Sequence, residues 1–85
     1  MVVRFILWNL ADTPTSVDEL RAEQVRHTAG AVSETWFSDA ATERFGAFTV
    51  FEDADAAAAP VDDRLLELIG KPPDVVELFT LEPTV

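Results

Sequence analysis

The chain has 85 residues, 48% of them hydrophobic, and its 16 acidic and 6 basic side chains give a formal net charge of −10. At this size one domain is predicted, residues 1–85, and a second copy would add useful burial. The acidity argues against nucleic acid or an anionic membrane as a partner. We interpret the net negative charge as a feature that keeps the protein in solution. With no cysteine, disulfides and thiolate chemistry are excluded, which fits a reducing compartment.

The N-terminal segment predicts a first strand over Val2–Asn9, because it is β-branched and aromatic and contains no glycine or proline. Its apolar run is too short for a membrane span and has no signal-peptide cleavage site, so a cytoplasmic protein is expected. Both faces of the strand are mostly apolar, which is typical of a central strand covered on both sides. By alternation, one face carries Val3, Phe5, Leu7 and Asn9, and the other carries Arg4, Ile6 and Trp8.

Ser16 and Glu19 form a capping-box pattern that predicts the start of a first helix. The helix is expected to continue to about Thr28 and to stop near Gly30. Its apolar stripe is thin, and it consists mainly of Val17, Leu20 and Val25.

Two extended segments follow, residues 31–37 and 45–51, and the polar loop 38–44 between them predicts a hairpin. Gly46 permits a close backbone approach in the second of these strands. Asp53 then stands where a helix N-cap belongs.

The small residues 54–59 predict a short helical turn that Pro60 interrupts, and a second helix is expected to start with Pro60 in its first turn and to end at Gly70. Residues 75–81 alternate as a fourth strand. The order β-α-β-β-α-β is that of a ferredoxin-like α+β fold, with a four-stranded antiparallel sheet and helices on one side.

The more apolar face of this sheet is expected to lie against the helices, and the opposite face is too hydrophobic to remain in water. We therefore expect a homodimer in which two sheets meet face to face, with Arg4 paired to Glu34 or Glu77 because an unpaired buried charge is costly. The predicted helix-facing set is Val3, Phe5, Leu7, Phe48, Val50, Val76 and Leu78. The predicted dimer-interface residues are Arg4, Trp8, Glu34, Trp36, Phe51, Glu77 and Phe79.

The hairpin resembles that of the dimeric α+β barrel superfamily, within it the YdhR-like putative mono-oxygenases. The resemblance lies in Trp36, a glycine ten residues later at Gly46, an aromatic-rich strand ending in Phe51, and the acidic cap Asp53. It implies a dimeric barrel and a relationship to antibiotic-biosynthesis mono-oxygenases, which oxidise polycyclic aromatic compounds without metal or flavin. This chain departs from the pattern at Ala47 and Thr49, where the family often has a glycine and a tyrosine, and in the helix interrupted by Pro60.

Other relatives implied by the resemblance degrade haem with an Asn, a Trp and a His. Asn9 matches the position of that Asn, but residues 54–69 contain neither Trp nor His, which argues against this activity. Asn9 either orients a substrate carbonyl or satisfies a turn. His27 either acts as a general base or complements the C-terminus of the first helix.

Trp8 and Trp36 either stack on an aromatic substrate or form a dimer core. The aspartates between residues 53 and 63 are explained by helix capping, and the sequence predicts no metal site and no cofactor.

Two functions remain open from the sequence. The first is a cofactor-independent mono-oxygenase, or a related isomerase or cyclase, acting on a small aromatic or polyketide-like compound. The second is a non-catalytic module for small-molecule binding or assembly, with the dimer as its purpose. For the enzyme, the pocket is expected between the sheet and the helices, where an apolar site would be lined by Phe5, Asn9, Phe37 and Phe48.

Overall fold

A computed structural model describes residues 1–23 and 27–83 of the chain. Within these residues, none of the helices has the length and apolar character needed to cross a membrane. The elements are β1 (Val2–Asn9), α1 (Val17–Ala22), β2 (Ala31–Asp39), β3 (Arg44–Phe51), a 3₁₀ turn (Ala56–Ala58), α2 (Asp63–Ile69) and β4 (Val75–Thr80).

The four strands form one sheet in the order β2-β3-β1-β4, and every neighbouring pair is antiparallel. The prediction of a small α+β domain with a four-stranded antiparallel sheet is confirmed, and this order is compatible with a ferredoxin-like fold. β1 has the predicted bounds and lies inside the sheet, while β2 and β4 form its two edges. The hairpin loop is shorter than predicted, because Asp39 and Arg44 still pair in the β2–β3 register.

The first helix begins as predicted but is shorter. The side chain of Ser16 accepts a hydrogen bond from the backbone N–H of Glu19, and Val17 and Leu20 are buried. The helix ends at Ala22, because Glu23 has an extended backbone with ψ of 140°. The expected continuation to Thr28 is therefore wrong, and the predicted stripe position 25 lies outside the described residues. A stripe with so few apolar side chains supports about one and a half turns only.

The chain after β3 is interrupted at Pro60, as predicted. The Asp53 carboxylate accepts a hydrogen bond from the backbone N–H of Ala56 at 2.8 Å and so caps the 3₁₀ turn. Ala59 has extended geometry, with ψ of 138°, which is the conformation that a following proline imposes. The carbonyl groups at the end of this turn consequently have no helical N–H to accept from.

The second helix starts later than predicted, at Asp63 instead of Pro60. Asp62 supplies the N-cap by accepting a hydrogen bond from the backbone N–H of Arg64 at 2.9 Å. Gly70 ends the helix as predicted, in the left-handed conformation with φ of 85°.

The helices cover the face of the sheet that was predicted to be the dimer interface. Trp8 is completely buried and Ile6 nearly so, whereas Phe5, one residue away on β1, is only half-buried and lies on the face without helices. The predicted assignment of the two faces is therefore wrong for β1, β2 and β3. It is right for β4, where Val76 and Leu78 pair with Ile6 and Arg4 on the helix side. The hydrophobic core consists of Ile6, Trp8, Leu10, Val17, Leu20, Phe45, Ala47, Leu65 and Ile69.

Two polar side chains explain why the helices cover this face of the sheet and not the predicted one. The indole N–H of Trp8 donates to the carbonyl oxygen of Lys71 at 3.1 Å, after α2. The guanidinium group of Arg4 donates to the carbonyl oxygens of Ala57 and Ala59, next to the break at Pro60. An arginine is tolerated under the helices because these carbonyls would otherwise have lacked donors in an apolar environment.

The face without helices, which we call the open face, depends on Gly46. A Cβ atom at this position would collide with the carbonyl oxygen of Ile6 and would lie 2.8 Å from the ring of Phe37. The absence of a side chain at Gly46 lets the Phe37 ring lie against the sheet. The predicted close approach at this glycine is confirmed.

We expect Gly46→Ala to destabilise the fold by roughly 3 kcal/mol or more, because the new methyl group meets backbone on one side and an aromatic ring on the other. Gly70→Ala is the matched control: its Cβ would meet nothing within 4 Å, and only the left-handed φ is strained. That strain costs about 1–2 kcal/mol. Urea unfolding of both variants measures the difference, and equal losses would contradict the packing described for Gly46.

Candidate functional site

Three phenylalanines from three different strands meet on the open face. The Phe5 and Phe37 rings are stacked, with centroids 5.9 Å apart and planes at 8°. Phe48 lies 5.1 Å from each of the other two ring centroids. We call these three residues the phenylalanine cluster. Such aromatic packing is normally found in a covered environment, and yet the Phe48 side chain is 48% exposed.

Apolar side chains surround the phenylalanine cluster along the strands. The β1–β3 register places Val3 opposite Val50, and the β1–β4 register places Val3 opposite Phe79. Phe79 is 51% exposed. A contiguous exposed apolar face of this kind is typical of interaction surfaces. Its apolar members are Val3, Phe5, Leu7, Phe37, Phe48, Val50, Val75 and Phe79.

A cavity of about 170 Å³ opens at one end of this face. Its charged rim is an ion pair in which Arg44 Nη2 lies 3.4 Å from Asp39 Oδ2. A hydrogen bond from Thr42 is the main cause that lowers the pKa of Asp39, and Arg44 lowers it further, so this carboxyl group is ionised at neutral pH. The lining residues are Phe5, Leu7, Phe37, Ser38, Asp39 and Arg44.

Of the four predicted substrate-binding residues, the structure therefore brings three together as the phenylalanine cluster. They meet on the open face, so the expected pocket between sheet and helices does not contain them. Asn9 is exposed at the end of β1, where its side-chain oxygen accepts the backbone N–H of Ala11 at 3.1 Å. The turn interpretation of Asn9 thus has direct geometric support.

The seven predicted interface residues divide between the two faces. Glu77 and Phe79 lie on the open face, opposite Phe5 and Val3 in the β1–β4 register. The other five lie on the helix-covered face, so they are not available for contact between two sheets. The sequence pattern failed here because both faces of β1 are apolar. The five residues are Arg4, Trp8, Glu34, Trp36 and Phe51.

Glu34 has a structural role that the sequence did not indicate. Its carboxylate accepts hydrogen bonds from the hydroxyl of Thr28 at 2.5 Å, from the hydroxyl of Thr49 at 2.8 Å and from the indole N–H of Trp36 at 3.1 Å. Burial raises the pKa of Glu34, but these hydrogen bonds outweigh burial, and the pKa lies below the ordinary value of 4.5. Glu34 thus links β2, β3 and the segment before β2.

Arg4 lies close to this network on the neighbouring strand, paired in register with Thr49. Burial lowers the pKa of Arg4, and the negative charge of Glu34 opposes that shift. The predicted Arg4–Glu34 ion pair is replaced by hydrogen bonds to the carbonyls of Ala57 and Ala59, and the Arg4 guanidinium also lies over the Phe51 ring, 5.0 Å from its centroid. Both charged residues therefore have a structural role: Arg4 connects β1 to the turn before Pro60, and Glu34 connects β2 to β3 and to Thr28.

His27 is exposed and lies outside α1, so its predicted position at the helix C-terminus is wrong. Its Nε2 atom is 3.2 Å from the carbonyl oxygen of Ala31. A shallow cavity of about 200 Å³ lies beside it, next to Thr28 and Pro60. Across residues 1–23 and 27–83, no cluster of three or more His, Cys, Asp or Glu side chains has an arrangement that would hold a metal ion.

No protein-family model matches this chain, and no curated protein matches it either. The proposals for its function consequently depend on the geometry of the open face.

The lowered pKa of Glu34 predicts a pH-dependent stability. Its contribution is present above pH 4.5 and is lost as the pH falls through the folded-state pKa, because protonation removes an acceptor from the network. We expect Glu34→Gln to be less stable than wild type at pH 7 and to lose less stability on acidification. Urea unfolding at pH 7 and pH 3 measures how much free energy of unfolding each protein loses on acidification. Equal losses for wild type and Glu34→Gln would contradict the role assigned to Glu34.

Proposed function

We propose that this chain is a homodimeric module whose two open faces stack against each other, enclosing the cavities at their ends for a small apolar ligand. The observation that supports the proposal is the phenylalanine cluster, which is packed like a protein core but lies on a face without helices. A second copy is the partner we infer, because one apolar face supplies the cover that the other needs.

The size of the open face suits this role. Four antiparallel strands of six to nine residues give a face on the order of 500 Å² in projection. Two stacked copies would bury about 1,000 Å² in total, which is the lower limit for a specific interface. The composition is also suitable, because aromatic side chains dominate its centre. The charged Asp39–Arg44 pair lies at one end of the face, and Glu77 lies at its side, on the edge strand β4.

The geometry favours a binding or assembly module over a mono-oxygenase. An oxygenase pocket between sheet and helices would need space that is occupied by Trp8, Ile6 and Phe51, each no more than 2% exposed. The cavity on the open face is mostly apolar. The only charged side chains among its described lining residues, Asp39 and Arg44, form an ion pair with each other. A catalytic base would have to come from this pair or from the ligand itself.

The enclosed cavities would accept about one aromatic ring each. A dry cavity of about 150 Å³ lined by apolar side chains binds benzene in another protein, and the cavity here is of similar size, at about 170 Å³. Phe5 and Phe37 form apolar walls, and the Asp39–Arg44 pair at the rim offers hydrogen-bonding groups to a polar substituent. The ligand class inferred is therefore a small monocyclic aromatic compound.

Phe48→Glu tests the stacked dimer. Each copy would place an unpaired carboxylate in the apolar interface, and we expect the dissociation constant of the dimer to rise by about 100-fold or more. Light scattering measures the mass, which we expect to fall from a multiple of 9.3 kDa to a smaller assembly.

Leu68→Glu is the matched control, because Leu68 is also exposed, at 38%, but lies on α2 away from the open face. The control should retain the wild-type mass. If Phe48→Glu also retains that mass while remaining folded, the stacked dimer is wrong.

Ligand binding is tested with phenol, a monocyclic aromatic compound, as the probe. We expect saturable shifts of the Phe5 and Phe37 ring signals in NMR spectra of the wild type, and Phe37→Ala should weaken binding at least tenfold because it removes one wall of the cavity. Shifts at the exposed His27 ring serve as a control for non-specific binding. Equal shifts everywhere, or none at the two phenylalanines, would contradict the ligand site.

A further inference from the structure

The edge strand β4 has an exposed apolar surface on both of its sides. Val76 and Leu78 lie on the helix side and are 55% and 50% exposed, and Phe79 lies on the open side. The short helix α2 contributes Leu65 and Ile69 to the core around Trp8, and it leaves Val76 and Leu78 uncovered. Edge strands are normally protected by charges, prolines or bulges, and β4 has only Glu77 within its length.

The residues of β4 that lie on the helix side also have backbone N–H and C=O groups that point away from the sheet. Leu81 donates its backbone N–H to the carbonyl oxygen of Met1 at 2.9 Å. Because antiparallel pairing alternates, the backbone groups of Phe79 and Glu77 also point towards β1. Those of Val76, Leu78 and Thr80 therefore point away from the sheet and are available to another strand.

We propose that β4 pairs antiparallel with β4 of a second copy, with Leu78 opposite Leu78 across a two-fold axis, so that the sheet continues through both copies. The occupant of this edge is a second copy because the strand is self-complementary in this register. Val76 lies opposite Thr80 and Leu78 opposite itself on the helix side. On the open side, Glu77 lies opposite Phe79, and Val75 lies opposite Leu81.

The charge of Glu77 disfavours one neighbouring register. A shift that places Glu77 opposite Glu77 would set two carboxylates side by side, which is unfavourable. A shift by a single residue would bring the helix side of one copy against the open side of the other. At the ends of the chosen register Glu82 lies opposite Asp74, whose charge is offset by Lys71 at 3.0 Å.

The buried area also indicates a second copy. The stacked faces proposed above lie at the lower limit for a specific interface, and pairing of two β4 strands adds contact on both sides of the sheet. Phe79 belongs to the open face and to β4, so the two surfaces are continuous. The two-fold axis of the β4 pair is perpendicular to the sheet. An axis between the stacked faces that runs across the strands meets it at a right angle, and two such intersecting axes close a tetramer.

Light scattering on the wild type, Phe48→Glu and Leu78→Glu separates the two contacts. We expect a wild-type mass of four times 9.3 kDa, and half of that for each single variant, since each retains one contact. Phe48→Glu alone changing the mass would overturn β4 pairing and leave the stacked dimer intact. Leu78→Glu alone changing the mass would support β4 pairing and overturn the stacked dimer.

Backbone hydrogen exchange on the wild type tests the edge without any substitution. We expect the amides of Val76, Leu78 and Thr80 to exchange at least 100-fold more slowly than in an unpaired strand, because each would donate to the second copy. In Leu78→Glu the same amides should exchange rapidly while those of Glu77 and Phe79 remain protected. Rapid exchange at Val76, Leu78 and Thr80 in the wild type would overturn the pairing.

Discussion

The burial of Arg4 determines which side of the sheet the helices cover. Its guanidinium group donates to two carbonyl oxygens in the turn before Pro60 and lies over the ring of Phe51. Because side chains alternate along a strand, Ile6 and Trp8 follow Arg4 to the same side. The proline and the arginine are thus complementary: one frees carbonyl groups, and the other satisfies them under the helices.

The open face is a consequence of this choice. With Trp8 directed towards the helices, Phe5 is directed away from them, and it meets Phe37 and Phe48 on a surface that the chain itself does not cover. The same arrangement leaves β4 at an edge, with apolar side chains on both sides and the short helix α2 too small to cover them. The two proposed contacts between copies therefore both follow from the orientation of β1, which directs Trp8 towards the helices and Phe5 away from them.

The secondary structure was largely readable from the sequence, since the capping residues Ser16 and Asp53, the break at Pro60 and the stop at Gly70 act locally. The assignment of faces was not readable, because it depends on distant partners. From the sequence alone, an arginine such as Arg4 is expected at an exposed or interfacial position. Its burial is explained only by its carbonyl partners, which are more than fifty residues away. The phenylalanine cluster was predicted as a set of residues, but its location was wrong for the same reason.

The central claim, that the phenylalanine cluster lies between two copies, is tested most directly by isotope-filtered NMR on a mixture of labelled and unlabelled chains. Nuclear Overhauser contacts between copies are predicted at the rings of Phe5 and Phe48, and none at the buried ring of Trp8. The claim would be contradicted if these contacts were absent and a soluble paramagnetic probe strongly broadened the signals of Phe5 and Phe48.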